Sequence, residues 1–374
     1  MRQLVSLIRC PDYDYKSVKR AVRDSIELLG GLNSIIQGGE KVLLKPNLLS
    51  PKTVEKAVTT HPMVVKAIGE LVKEAGGKPY IWDSPSIGST TWVAKKSGIS
   101  QIADEINIPV LEDKEIVTLN APKDFIFTSF EIAKNVLDAD LIINIPKLKT
   151  HSMMTLTLAV KNLFGVIPGF RKARWHLIAG NKFFARMLIE LYLLVKPKLN
   201  IIDGIVGMEG NGPGNGIPKK IGLIAASFNA LALDRVLVEV LNLDPEIVPT
   251  LKEAKRSDLE GWELNKIDIM GYPIDSVKTK RFKLPEHMDV QWGLPRPIKR
   301  VLKDTVTVRP YIDLKLCKLC KSCYDICPGN AISIIDDKPI IDYNECIRCF
   351  CCQEVCPEGA VKIKKGLFLK IFSH

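Results

Sequence analysis

No stretch of this 374-residue chain holds the roughly 18 consecutive apolar residues that a bilayer-spanning helix needs. The longest candidate, 183–195, is interrupted by Arg186 and Glu190 and reads as one amphipathic helix. The opening residues, MRQLVSLIRC, have neither the apolar run nor the small-residue cleavage site of an export signal. Together these absences predict a soluble, cytoplasmic protein, a setting that counts against disulfide bonds. Nucleotide fingerprints are missing as well. No Gly-Lys-Ser/Thr follows the Gly-rich stretch 207–216, so it is not a P-loop, and no G-x-G-x-x-G joins a first strand to its helix. No nucleic-acid-binding motif appears, so nucleic acid is not an expected partner.

What is present is concentrated near the C-terminus. Cys317, Cys320, Cys323 and Cys327 precede Pro328, and Cys346, Cys349, Cys352 and Cys356 precede Pro357. Both runs read C-x2-C-x2-C-x3-C-P, and the second repeats the first after 29 residues. This spacing is that of a two-cluster ferredoxin, in which the fourth cysteine of each run ligates the other cube. The expected ligand sets are therefore Cys317, Cys320, Cys323 and Cys356 for one 4Fe–4S cluster, and Cys346, Cys349, Cys352 and Cys327 for the other. Structural zinc competes less well, because it ordinarily takes two separated C-x2-C pairs without a third cysteine and a proline in each. The repeat also aligns Ala331 with Ala360, where a larger side chain would crowd a cluster. Cys351 aligns with Ser322 and reads as a spare thiol.

The formal net charge is +11, yet residues 310–365 hold eight basic and eight acidic residues, so the excess lies elsewhere. Basic stretches occur at 278–303, around Arg171, Lys172 and Arg174, and in the tail 362–374, which is also apolar. They suit an acidic electron donor, an anionic substrate or peripheral contact with a membrane, or they are plain solvated faces.

Residues 1–277 alternate strand and helix signals. Strands are expected at 3–8, 41–45, 78–82, 141–145, 200–202 and 221–226. Helices are expected at 15–29, 62–75, 91–97, 156–164, 182–195 and 230–241. The fold class predicted is α/β, a mostly parallel sheet with helices on both faces. Residues 278–308 read as a basic, proline-containing linker. A small ferredoxin-like α+β two-cluster module follows at 309–365, then a tail at 366–374.

In open parallel sheets, ligands bind beyond the carboxyl ends of the strands. Those ends carry Lys45 and Asn47, then Asp83, then Lys147, Lys149 and His151, then Asp203 and Glu209. If the strands are neighbours, these residues meet in one crevice. Lysines there, with Lys161, would hold phosphate or carboxylate. Asp83, Asp203 and Glu209 would bind a hard cation or act as acid and base. His151, Lys147 and Asp83 are the expected catalytic groups. The Gly-rich stretch would bring backbone N–H groups to an anion. The structural alternatives are helix caps for the aspartates and solvated surface for the lysines.

V-L-L-K-P-N (42–47), N-I-P-K-L-K-T-H (144–151), L-A-V-K-N-L-F-G (158–165) and D-G-I-V-G-M-E-G-N-G-P-G (203–214) resemble the bacterial and archaeal domain of unknown function number 362. Many members of that family carry a two-cluster ferredoxin module. The resemblance implies an α/β domain fused to a ferredoxin. It marks Lys45, Asn47, Lys147, Lys149, His151, Lys161, Asn162, Asp203, Glu209 and Gly212 as motif positions, without giving any of them a chemical role. Lys45, Asn47, Lys149, Lys161, Asn162, Asp203, Glu209 and Gly212 are taken as the ligand-holding set.

Three functions stay open from the sequence. The chain is an iron–sulfur oxidoreductase acting on an anionic small molecule, or an electron carrier docking to a larger redox enzyme, or a phosphate-using enzyme with structural clusters. No flavin motif is evident, although a flavin or a mononuclear metal could occupy the crevice without one.

Overall fold

A computed structural model describes residues 2–113, 115–285 and 308–364. Most of the expected linker (286–307) and the whole tail 366–374 lie outside the described residues. The strands in chain order are β1 Gln3–Arg9, β2 Lys41–Pro46, β3 Lys78–Ile81, β4 Ile116–Asn120, β5 Ser129–Ala133, β6 Leu141–Ile145, β7 Lys147–His151, β8 Thr155–Thr157, β9 Leu199–Glu209, β10 Ile217–Ser227 and β11 Ile267–Gly271.

One sheet of nine strands runs β11-β1-β10-β9-β6-β2-β3, with β7 and β8 continuing from β9. Five of its pairings are parallel and three antiparallel, so it is mixed but mostly parallel, as the alternating pattern predicts. The two-residue period of a strand divides the core. Val42 and Leu44 face one apolar cluster, and Leu43 between them faces the other. Helices Tyr15–Glu27 and Pro62–Glu74 cover the first face. Helices Gly180–Val195 and Ala230–Val240 cover the second. Local chemistry sets where several helices start. Asp14 and Asn229 accept backbone N–H groups of the first turn, and Pro62 occupies a first position where no N–H is needed. Among the described residues no helix is long and apolar enough to cross a membrane.

Two expectations change. The segment after Pro146, expected to lie beyond the strand end, is itself β7, and β6 with β7 forms one strand interrupted at the proline. Both parts pair in parallel with the eleven-residue β9, and Pro146 O accepts Asp203 N–H at 2.9 Å. Proline lacks a donor and looks like a terminator, yet β9 is long enough to carry the pairing past it. The expected helix at 156–164 is instead β8, a turn of helix at Ala159–Asn162 and a 3-10 turn at Leu163–Val166.

At the C-terminal end, β12 Arg309–Ile312 pairs antiparallel with β15 Val361–Lys364, and β13 Ile332–Ile335 with β14 Lys338–Ile341. Short helices occupy Ser322–Asp325 and Cys351–Val355. The internal repeat is written into the backbone. Left-handed φ values recur at Leu319 and Arg348, at Lys321 and Phe350, and at Asn330 and Gly359, each pair 29 residues apart.

Candidate functional site

A buried polar chain ties three motif blocks together. Lys45 Nζ donates to Asp83 Oδ1 and to Asn162 O, both at 2.7 Å, and Asp83 Oδ2 accepts Leu48 N–H at 2.7 Å. Asn47 Nδ2 donates to Asn162 Oδ1 at 2.8 Å. Lys149 Nζ donates to Asn47 Oδ1 at 2.8 Å and Val58 O at 2.7 Å. Asn162 Nδ2 donates onward to Asn144 Oδ1 at 2.8 Å. Lys45 and Lys149 are wholly buried, so these hydrogen bonds replace water that both have lost.

The chain forms one wall of a cavity of about 70 Å³. A single water needs roughly 10–15 Å³ of such space, so the cavity suits a few waters or one compact ligand. Asn47, Asp83, Lys149, His151, Lys161 and Asn162, all named from the sequence, line it. So do Ser84, Thr157, Lys172 and His176, which sequence reasoning did not pick, and Cys351 and Glu354 from the helix Cys351–Val355. Lys172 and His176 sit four apart on the helix Arg171–Ile178 and therefore share a face, a spacing that could have flagged them.

The cavity is rich in lysine, and a few of its polar atoms have no hydrogen-bond partner. Burial lowers Lys149 to about 7 against the opposing pull of Glu354 and Asp83. Burial likewise lowers Lys172 to about 8, opposed by Asp83. Lys161 is lowered by burial too; among the described residues it has no hydrogen-bond acceptor and lies over the Phe164 and Phe184 rings at 4.3 and 5.6 Å. His151 Nδ1 accepts the N–H groups of Met153 and Met154 at 3.1 and 3.2 Å, which places its proton on Nε2. That nitrogen is 3.2 Å from Glu354 Oε1, an ion-pair distance without hydrogen-bond alignment. Burial pushes the Glu354 carboxyl up, but His151, Lys161 and His176 outweigh it and bring it down to about 2. Burial keeps His176 neutral, lowered to about 3, with its ring stacked 4.4 Å from Phe184. Thr157 Oγ1, His176 Nδ1 and Glu354 Oε1 are buried without a hydrogen-bond partner, and all three residues line the cavity. Such atoms call for a ligand or ordered water.

Other expected residues are not in this cavity. Lys147, Lys149 and His151 share one face of β7, but a strand advances about 3.3 Å per residue, so Lys147 stands roughly 13 Å from His151. Lys147 Nζ instead donates to Asp203 Oδ2 at 2.7 Å and Tyr13 Oη at 2.8 Å. Tyr13 Oη donates to Asp203 Oδ1 at 2.7 Å, and His61 N–H to Oδ2 at 2.8 Å. This second cluster is buried and satisfied, and it fastens β7 to β9. Glu209 accepts Lys283 N–H at 3.0 Å at the far end of β9.

Gly212 is a packing glycine. A Cβ there would sit 2.3 Å from Thr150 O, a backbone atom of β7. Gly212→Ala should therefore lower stability by about 1–3 kcal/mol, the usual cost of overpacking. The thermal unfolding midpoint reads this; an unchanged midpoint would show that the hairpin after β9 yields freely.

The eight run cysteines surround two further cavities. Cys317, Cys320, Cys323 and Cys356 line one, and Cys327, Cys346, Cys349 and Cys352 line the other. Backbone N–H groups of Leu319, Ala331 and Ala360 donate to Cys317, Cys327 and Cys356 at 3.5, 3.3 and 3.2 Å. Ala331 and Ala360 each line one ring. The donor set thus fits a pair of cubane clusters. Cys351 belongs to neither ring. It lies between Cys349 and Cys352 and lines the anion-suited cavity instead.

A family model for a domain of unknown function, DUF362, matches residues 42–239, and one for a 4Fe-4S dicluster domain matches residues 309–357. A thylakoid-associated protein of Synechocystis sp. is 39% identical over 306 residues, 81% of this chain and 94% of that protein. The lactate racemase apoprotein of Thermoanaerobacterium thermosaccharolyticum overlays with a TM-score of 0.41 at 15% identity, over 61% of this chain and 54% of its own. So remote a likeness bears on neither ligand nor activity. The dicluster match identifies the C-terminal module as an iron–sulfur, ferredoxin-type domain, which supports electron transfer.

Proposed function

The chain belongs to the DUF362 family, and on that premise we propose that it is an iron–sulfur oxidoreductase acting on a compact anion held between its α/β domain and its C-terminal module. One observation carries the reading. The helix Cys351–Val355 lines the lysine-lined cavity with Cys351 and Glu354, while its own Cys352 and the preceding Cys349 line a cysteine ring. A 4Fe–4S cluster in that ring would supply single electrons, and two such clusters with crosswise ligands are the reading that the two cavities support. Lys161 and the remaining N–H of Lys149 would hold the anion, while Lys172, whose donors go to Ser84 and Pro85, would add positive charge beside it. The unpartnered Thr157 and His176 would orient it. His151, with its proton on Nε2 beside Glu354, could hand a proton toward the site.

The charge of the cavity gives a pH test. An ordinary lysine titrates near 10.4, whereas Lys149 falls to about 7 when buried. Between those values the unfolded chain binds more protons than the folded one, so stability rises with pH from about 7 toward about 10. Below pH 7 the cost of burying charged Lys149 is fully present, and a bound anion relieves it. Anaerobic holo protein should therefore be stabilised by bicarbonate, acetate or phosphate more at pH 6 than at pH 9, read as a shift in the thermal midpoint. Lys149→Met should flatten that profile. Equal shifts at both pH values, or the same profile in the variant, would leave the anion reading without support and favour a carrier that merely docks.

A further inference from the structure

The module balances eight basic against eight acidic residues, but not evenly over its surface. Lys315, Lys318 and Lys321 alternate with leucines along the segment that carries Cys317 and Cys320. All three lysines are exposed, and Leu314, Leu316 and Leu319 are 52%, 42% and 38% exposed. Among the described residues none of these lysines is paired with a carboxylate, whereas Asp313 beside them is taken by Lys362 at 2.7 Å. The two rings differ in the same sense. Cys320 is exposed and Cys317 and Cys323 are partly so, while Cys346, Cys349 and Cys352 are buried. One ring therefore opens to solvent under a basic, leucine-studded loop. The other, with three of its four cysteines buried and Cys327 partly exposed, is more enclosed and adjoins the anion cavity through Cys351.

We propose that the loop 314–321 is the docking face for a small acidic one-electron carrier protein, and that electrons enter through the ring of Cys317, Cys320, Cys323 and Cys356. This rests on the cluster reading above. Each encounter oxidises the carrier by one electron and reduces the cluster of that ring by one; no bond forms or breaks and no proton moves. The lysines supply steering, which speeds encounter and fades with salt. The leucines supply a dry contact of the limited size usual for transient redox pairs. A lipid surface could also attract three lysines. It would, however, cover the exposed ring with insulating hydrocarbon, and this favours a protein partner.

The test uses anaerobic holo protein and an acidic plant-type 2Fe–2S ferredoxin as probe. In stopped flow, reduction by the reduced ferredoxin should slow at least tenfold between low and high salt. Lys315→Glu/Lys318→Glu/Lys321→Glu should slow it at least tenfold at low salt, while reduction by dithionite changes by less than threefold. Gallium-substituted ferredoxin, which cannot transfer electrons, should bind the variant at least tenfold more weakly by calorimetry. Iron content equal to wild type shows that the variant's rings are intact, and the wild-type salt dependence needs no variant at all. Salt-independent reduction, or equal binding by wild type and variant, overturns the proposal. So does intact ferredoxin binding with lost flotation on phosphatidylglycerol vesicles, which would assign the loop to a membrane. None of these readouts involves the anion cavity, so failure here is distinguishable from failure there.

Discussion

Cys327→Ser is expected to cost the chain half its iron, and to take it from the ring that the second run builds. Cys327 lies 19 residues before Cys346 in sequence, yet it lines the cavity of Cys346, Cys349 and Cys352. Its own run closes instead on Cys356. Anaerobic wild type should hold about eight irons and eight acid-labile sulfides, the content of two cubes, and Cys327→Ser about four of each. Double variants decide between crosswise and local ligation. Adding Cys346→Ser should remove no more iron, because both residues serve one ring. Adding Cys320→Ser should remove nearly all of it, because the two residues serve different rings. Local ligation predicts the opposite order. A wild type holding almost no iron, with another metal in its place, would end the electron-transfer account altogether.

How much of this was legible from sequence depends on the distance over which each contact acts. Cluster chemistry fixes cysteines three residues apart, so the two rings could be read directly as spacing. Strand alternation is equally local, and Val42–Leu43–Leu44 shows it in one stretch facing two cores. The polar cavity was only half legible. Lys45, Asn47, Asp83, Lys149 and His151 end or follow strands, and their meeting follows from adjacency of β2 with β3 and β6. Glu354, however, meets His151 across 203 residues, and no local pattern announces such a pair. The basic stretch around Arg171, Lys172 and Arg174 suited an anionic substrate, an acidic partner or a plain solvated face equally well. A helix turns Lys172 and His176 inward while Arg174 stays exposed and Arg171 pairs with Glu131. Asp203 was misplaced for a different reason. Gly204 and Gly207 look like loop residues but sit inside β9, where an added Cβ would meet Leu223 O at 2.9 Å and Leu148 O at 2.8 Å. Small residues there allow close strand packing.

The largest loss of stability should come from Lys45→Met. The Lys45 ammonium is wholly buried and Asp83 nearly so, and they meet at 2.7 Å. Removing the lysine alone leaves the Asp83 carboxylate with Leu48 N–H as its side-chain hydrogen bond and no bonded ammonium, Lys149 and Lys172 acting on it only through space. Breaking one side of a buried pair costs about 3–5 kcal/mol, more than the pair itself contributes. Lys45→Met/Asp83→Leu should recover part of that loss, because no orphaned charge remains, although Leu48 N–H then lacks its acceptor. A loss under about 1 kcal/mol for the single variant, from chemical denaturation of holo protein, would mean that water reaches the pair. The consequence extends beyond stability. Lys45 also holds Asn162 O, and Asn162 holds Asn47, which holds Lys149. The lysine expected to titrate nearest neutrality is thus aimed into the cavity by a relay that begins at Lys45. Lys45→Met should therefore weaken the pH-dependent anion stabilisation along with the fold, whereas Gly212→Ala, which touches β7 by packing alone, should lower stability and leave that pH dependence in place.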